Sequence, residues 1–280
     1  MTTLGILHPG SMGAAVAAQA KAAGAEVLWC PEGRSDATKD RAVRSGLAAV
    51  GNIAEMVHNS DVILSLCPPA NAVDVASSVA GHSFSGIFVD GNAISPASMK
   101  TISTIMSSAG AQLVDGSVIG SPPSTTKTPR LYLSGPEAPV EAVARLFEGT
   151  AVNAIALPGG IGKASALKLS YSTFQKISRV LAAVSYTLAH DYGVERELLD
   201  VAKQRTTSYL TETEYISKTA SRAWRWGPEM REAVQALMES SLPAGLAEAA
   251  SLVLERWGDA RNFPLGLPEA MDRLHHTTEG

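Results

Sequence analysis

At 280 residues the chain is long enough for about two domains, and 45% hydrophobic with 18% charged residues is ordinary globular composition. A formal net charge of −4, with Lys and Arg scattered rather than clustered, argues against nucleic acid as a partner. The chain has no apolar run of about 18 residues, and MTTLGILHPG lacks the charged leader and cleavage site of a secretory signal, so a cytoplasmic protein with no membrane segment is expected.

The first predicted unit is LGILHPGSMGAAVAAQAKAAGAEVLW: a strand over Leu4–Leu7, a glycine turn, an alanine-rich helix and a strand over Glu26–Trp29. Such a turn aims backbone N–H groups and the positive end of the helix dipole at one point, where a pyrophosphate can sit. In HPGSMG, Gly10 and Gly13 occupy the second and third glycine positions of a dinucleotide fingerprint, and His8 occupies the first. The expected cofactor contacts here are Pro9, Gly10, Ser11, Met12 and Gly13. About 20 residues on, where an acidic residue commonly reads an NAD ribose, the segment WCPEGRSDATKDR offers Glu32 followed by Arg34 and Ser35. A guanidinium fork and a hydroxyl suit a 2′-phosphate, so NADP(H) is expected in preference to NAD(H).

Further strands are predicted over Asp61–Leu66, Gly86–Val89, Gln112–Val118 and Arg130–Ser134, spaced for crossover helices, which argues for a parallel sheet of βαβ units. Open α/β sheets bind ligands at the carboxyl ends of their strands, so the loops Cys67-Pro68-Pro69 and Asp90-Gly91-Asn92 are site candidates. Pro68 and Pro69 equally suit the start of the next helix. Cys30 and Cys67 read as small core residues, and no His/Cys spacing suggests a metal.

After Pro158-Gly159-Gly160 the pattern turns helical. A long helix is predicted from Ile161 to about His190, with Leu167, Tyr171, Phe174, Ile177, Leu181, Val184 and Leu188 at helical spacing. Ser165, Lys168, Ser172 and Gln175 form a polar stripe along it. Further helices are expected over Arg196–Tyr209, Glu229–Glu239 and Leu246–Trp257, separated by Gly193, Gly227-Pro228 and Pro243. The polar tail from His275 to Gly280 is expected to be disordered. The domains then divide as 1–158, 159–274 and that tail.

These motifs, in this order, resemble the β-hydroxyacid dehydrogenases, the superfamily of 3-hydroxyisobutyrate and 6-phosphogluconate dehydrogenases. HPGSMG resembles its GxGxMG turn, DVILSLCPP its strand ending in a proline loop, and DGNAISP its segment near the nicotinamide ribose. DGSVIGSPP stands where the family has a substrate loop, and GIGKASALKLSYS where it has the helix carrying a catalytic lysine. Together with RAWRWGPEM these segments resemble a bacterial subgroup with a C-terminal domain of unknown function. The resemblance implies a Rossmann-type, doubly wound α/β domain followed by an all-α domain like that of 6-phosphogluconate dehydrogenase. It implies Leu66, Cys67, Pro68 and Asn92 at the cofactor, Lys168 as general acid/base, and a homodimer.

Two positions depart from the pattern: Ile119 replaces a substrate-contacting Ser, and Tyr171 replaces an Asn that assists the lysine. Ser117, Ser121 and Ser172 are the hydroxyls at hand to compensate, Tyr171 brings a phenol, and backbone N–H groups near Gly120 and Ser121 can bind a carboxylate. Lys127 adds charge to the same loop, and Trp226 either walls the pocket or packs in the helical core. The expected function is hydride transfer between NADP(H) and a small polar carbonyl or alcohol substrate of hydroxy-acid or aldehyde type. An imine reductase and a non-catalytic NADP(H)-binding sensor or scaffold are the alternatives.

Overall fold

The computed structural model describes residues 1–191, 193–204, 212–239 and 244–275. The chain divides into two compact units, Met1–Lys168 and Leu169–Gly280. The boundary falls inside the long helix rather than at the Pro158-Gly159-Gly160 turn.

The first unit is built on one eight-stranded sheet in the order β3-β2-β1-β4-β5-β6-β7-β8. Its strands are β1 (Thr3–Leu7), β2 (Glu26–Trp29), β3 (Ala48–Ala49), β4 (Val62–Ser65), β5 (Ile87–Asp90), β6 (Gln112–Ile119), β7 (Arg130–Ser134) and β8 (Asn153–Ala156). Consecutive apolar residues point to opposite faces: Leu4, Val62, Val89 and Val114 pack on one side, and Ile63, Phe88 and Leu113 on the other. Strands apolar on both faces need cover on both. Helices α1 (Ser11–Ala22) and α6 (Glu137–Arg145) supply Val16, Ala17, Val140 and Val143 to the first face. Helices α3 (Ile53–His58), α4 (Ala72–Gly81) and α5 (Pro96–Ser108) supply Met56, Val79, Met99 and Ile102 to the second. Helix α2 (Asp36–Arg44) adds Ala42 to the first core. This is the doubly wound α/β domain expected.

The sheet departs from the expected all-parallel form at one place. β7 runs antiparallel to β6, because residues 120–129 join them as a loop without a crossover helix. The α6 crossover then restores a parallel pair, β7 with β8. β3 and β8 were not anticipated from sequence. β3 is two residues long, and β8 alternates weakly because it sits at the sheet edge with no fully buried residue.

Helix α7 (Lys163–Asp191) is the long helix expected. The side chains of Leu181, Val184 and Leu188, and residues 205–209 of the predicted Arg196–Tyr209 helix, lie outside the described residues, as do Pro243 and the tail from His276.

The second unit is helical throughout its described residues: α8 (Glu195–Lys203), α9 (Glu214–Ala220), α10 (Ala223–Glu239), α11 (Gly245–Glu255) and α12 (Leu267–Asp272). Gly227-Pro228, expected to separate two helices, instead lies inside α10. Proline removes the bond to the Trp224 carbonyl, near the helix start. The helix continues because Trp226, Met230 and Ala233 are buried in the core of this unit, and that packing outweighs one lost bond. The indole N–H of the fully buried Trp257 donates to the Ala270 carbonyl at 2.8 Å and ties α12 to this core.

Candidate functional site

The turn between β1 and α1 is formed by three consecutive residues with different tasks. His8 adopts φ = +69°, the left-handed conformation that glycine ordinarily supplies at the first fingerprint position. Around Pro9 the chain closes tightly, with the Gly10 N–H donating to the His8 carbonyl at 2.7 Å. Gly10 then caps α1, with no side chain bonded to the helix end and no acidic residue in its first turn. A Cβ on Gly10 would meet nothing nearer than 3.9 Å, so space remains above the helix end. A Cβ on Gly13 would lie 2.5 Å from the His8 carbonyl oxygen, so only glycine lets α1 approach β1 this closely. An open, positively polarised helix end with a glycine-floored space above it fits a pyrophosphate.

Beside this turn, at the ends of β1 and β2, a cleft of about 200 Å³ is lined by Ile6, Leu7, His8, Cys30, Glu32, Arg34 and Ile53. Arg34 is presented by a turn in which its N–H donates to the Pro31 carbonyl at 3.1 Å, with Gly33 at φ = +67°. Ser35 caps α2 and its Oγ lies 3.1 Å from the Thr38 Oγ1, outside the residues lining the cleft. Burial first, and then the positive charge of Arg34, push the His8 imidazole down to a pKa of about 4, so it is neutral at pH 7. His8 is thus an element of the cleft that the fingerprint comparison counted only as a missing glycine.

The loops after β4 and β5 are locked together by Asn92. Its Oδ1 accepts from the Cys67 N–H at 2.6 Å, and its Nδ2 donates to Ser65 Oγ at 3.2 Å and to Asp90 Oδ2 at 3.0 Å. Asp90 Oδ1 accepts from the Asn92 N–H at 3.0 Å. Asn92 and Cys67 are buried and Pro68 is exposed, so the buried pair shapes the loops while Pro68 presents their surface. Burial pushes the Cys67 thiol up to about 12, which makes it no nucleophile. Burial also raises Asp90 to about 7, against the two hydrogen bonds from Asn92.

Asp115, which the motifs do not single out, is the partner of Asp90 on the neighbouring strand and organises the join between the sheet and α7. Its Oδ2 accepts from Ser134 Oγ at 3.0 Å, the Gly162 N–H at 2.8 Å and the Ser165 N–H at 3.1 Å, and its Oδ1 accepts from Ser165 Oγ at 2.7 Å. A carboxylate in β6 therefore closes the N-terminus of α7. One turn further on, Lys168 Nζ donates to the Val118 carbonyl at 2.9 Å, which holds the lysine against the last residues of β6. Gly120, at φ = +132°, and Ser121 follow and are exposed. Ser117, expected at the substrate, is instead fully buried within β6 with its Oγ sealed. Lys127 lies at the exposed tip of the β6–β7 loop, where its carbonyl accepts from the Ser124 N–H at 3.0 Å.

In the second unit Tyr171 is 44% exposed and its hydroxyl accepts from Gln175 Nε2 at 2.9 Å, whereas Ser172 is buried. Trp226 lies in the helical core, with the Lys176 ammonium 5.6 Å, the Arg179 guanidinium 5.8 Å and the Arg222 guanidinium 5.9 Å from its ring. Lys176 forms a buried ion pair with Glu229, and Arg225 Nε stands 3.7 Å from the same carboxylate. The RAWRWGPEM segment thus serves the internal bonding of this unit. Sequence reading missed Lys176 and Glu229 because their partnership spans 53 positions and two helices. No group of three or more potential metal ligands occurs among the described residues.

Residues 3–159 match the model of the NAD binding domain of 6-phosphogluconate dehydrogenase. The chain belongs to the β-hydroxyacid dehydrogenase family. Residues 189–257 match a domain of unknown function, DUF1932. Among proteins it resembles is an uncharacterized 28.5 kDa protein of Methanothermus fervidus, 29% identical over 179 residues that make up 64% of this chain and 68% of that one. The mitochondrial 3-hydroxyisobutyrate dehydrogenase of Drosophila melanogaster is 26% identical over 188 residues, 64% of this chain and 54% of the fly enzyme. The structure of Mycobacterium tuberculosis 3-hydroxyisobutyrate dehydrogenase with L-serine shares the fold, with TM-score 0.77, 20% identity, and coverage of 99% of this chain and 100% of that one. The chain is an NAD(P)-dependent dehydrogenase or reductase, and the open end of α1 belongs to its nicotinamide dinucleotide domain.

Proposed function

We propose that this dehydrogenase uses NADP(H) to interconvert a small polar carbonyl compound and its alcohol, of hydroxy-acid or aldehyde type, with Lys168 as the general acid/base. The observation that carries this reading is the tether of Lys168 Nζ to the Val118 carbonyl, which fixes the ammonium at the end of a sheet strand, where α/β folds hold their substrates. The nicotinamide, when bound, supplies or accepts the hydride. Lys168 Nζ then gives a proton to the developing alkoxide, or takes one from the alcohol in the reverse direction. Asp115 keeps α7 in register so that the lysine stays in place. Exposed backbone at Gly120 and Ser121 offers N–H groups to a substrate carboxylate, and exposed Pro68 completes the proposed contacts to the cofactor. The NADP(H) preference is supported by Arg34 in the cleft beside the α1 turn.

We further infer a homodimer through the second unit, which exposes Phe174, Met238, Leu246 and Leu252, each more than 60% accessible. Turnover of a panel of 2-oxo acids, 3-oxo acids and aldehydes with NADPH, compared between wild type and Lys168→Ala, tests the mechanism. The variant is expected to lose about 10²–10⁴-fold in kcat while its Kd for NADPH stays unchanged. Retained turnover removes Lys168 from the chemistry.

A further inference from the structure

The cleft beside the α1 turn holds a residue whose presence the fingerprint does not explain. Glycine at the position of His8 would satisfy φ = +69° without strain, so an imidazole there carries a conformational cost that its side chain must offset. That side chain lines the same cleft as Arg34 and Glu32. Nδ1 is sealed from solvent, so the nitrogen through which the ring can address the cleft is Nε2. Arg34 lines the same cleft and its charge helps to keep the imidazole neutral, and Glu32, exposed at the rim, is the carboxylate beside them.

At neutral pH the imidazole is uncharged, so the cleft offers an anion one guanidinium charge and, beside it, one neutral N–H donor, with a single exposed carboxylate at the rim. A phosphate monoester answers this arrangement: it accepts from the guanidinium fork and from one further N–H. The remaining wall is apolar, made by Ile6, Leu7 and Ile53, with Cys30 beside them, and suits the flat face of a nucleobase. A ligand carrying both groups is an adenosine bearing a phosphate on its ribose.

We propose that His8 is a specificity residue that reads the 2′-phosphate of NADP(H) together with Arg34, so that the position left without its glycine is itself part of the cofactor discrimination. This rests on the reading of the cleft as the adenosine end of a dinucleotide site. Its consequence is that removing the imidazole affects ligands that carry the 2′-phosphate and spares those that lack it.

The test uses the purified full chain and four probes: NADPH, NADH, adenosine 2′,5′-bisphosphate and ADP, each titrated calorimetrically against wild type, His8→Gly and Arg34→Ala. His8→Gly relieves the left-handed strain, so it folds, and its thermal midpoint verifies this. The expected result is that His8→Gly weakens NADPH and the bisphosphate about tenfold while NADH and ADP change by less than about twofold, the pattern also expected for Arg34→Ala. Equal weakening of all four ligands by His8→Gly would mean that the residue serves only the turn, and no change in any would mean that it does not touch the nucleotide. Either overturns the inference. If wild type binds none of the four, the dinucleotide reading of the cleft fails first, which the wild-type titration alone reveals.

Discussion

The N-termini of α1 and α7 present the same physical feature, a cluster of backbone N–H groups at the positive end of a helix dipole, and the molecule treats them in opposite ways. At α1 no side chain caps the end, and the space above Gly10 stays open. At α7 the Asp115 carboxylate reaches across from β6 and takes the Gly162 and Ser165 N–H groups for itself. One helix end is kept for a ligand's charge, and the other is neutralised by the protein's own. An uncapped helix end is therefore informative only where the fold has left its charge unanswered.

Breaking the closed end has the largest expected effect. Asp115→Ala orphans two serine hydroxyls and two backbone N–H groups in a buried region, at a cost of about 4 kcal/mol, a fall in Tm of roughly 10 °C. Thermal unfolding checks this; a shift below a few degrees would mean that water replaces the carboxylate. The open end should respond in the opposite sense. Gly10→Ala fills space that the protein does not use, so stability falls by less than about 1 kcal/mol, while dinucleotide affinity falls at least about tenfold because the methyl sits where the phosphates approach. Equilibrium titration beside a melting curve separates the two.

The smallest effect in the wild-type chain is in the pH dependence of stability, where buried carboxyl groups, Asp90 in the Asn92 clamp and Asp115 at the closed end, both raised by burial, oppose His8 at the open end. Asp90 keeps its proton to about pH 7 in the folded chain but loses it near pH 4 when unfolded, so its contribution falls as pH rises from about 4 to 7. His8 is deprotonated above about pH 4 when folded but holds its proton to about 6.5 when unfolded, so its contribution rises over that range. Asp115, raised by burial, has the sign of Asp90, and the rise from His8 partly cancels their fall in wild type. His8→Gly should therefore expose a monotonic loss of stability from pH 4 to 7, measured by denaturant unfolding at each pH. A rise over that interval in the variant would refute the assignment of the opposing slopes.

The open end was readable from sequence because everything it requires is local: a strand, a turn and small residues at Gly10 and Gly13, all within about ten positions. The long helix was equally plain from its periodicity. The closed end was not readable, because Asp115, Ser134 and Ser165 are brought together only when β6 pairs with β7 and α7 docks on both. Within DGSVIG the family resemblance points to the hydroxyl of Ser117, which the strand buries, and not to the carboxylate two residues earlier. Pro228 misled in the ordinary way, since proline's local preference was set aside by the packing of Trp226 and Met230. The value of His8 was hidden by a pattern that registers only whether a glycine is present.

The Asn92 clamp gives the molecule an unusual kind of loop. Segments at the carboxyl ends of strands commonly open and close many times faster than the sheet beneath them. Here the Cys67 amide is held by a buried side chain that is itself bonded to Asp90 at the end of β5, so its proton exchanges with solvent only when this buried clamp opens. In a hydrogen-exchange experiment this loop amide would be counted with the core strands, and a ligand arriving there meets a surface whose ordering entropy was already lost on folding.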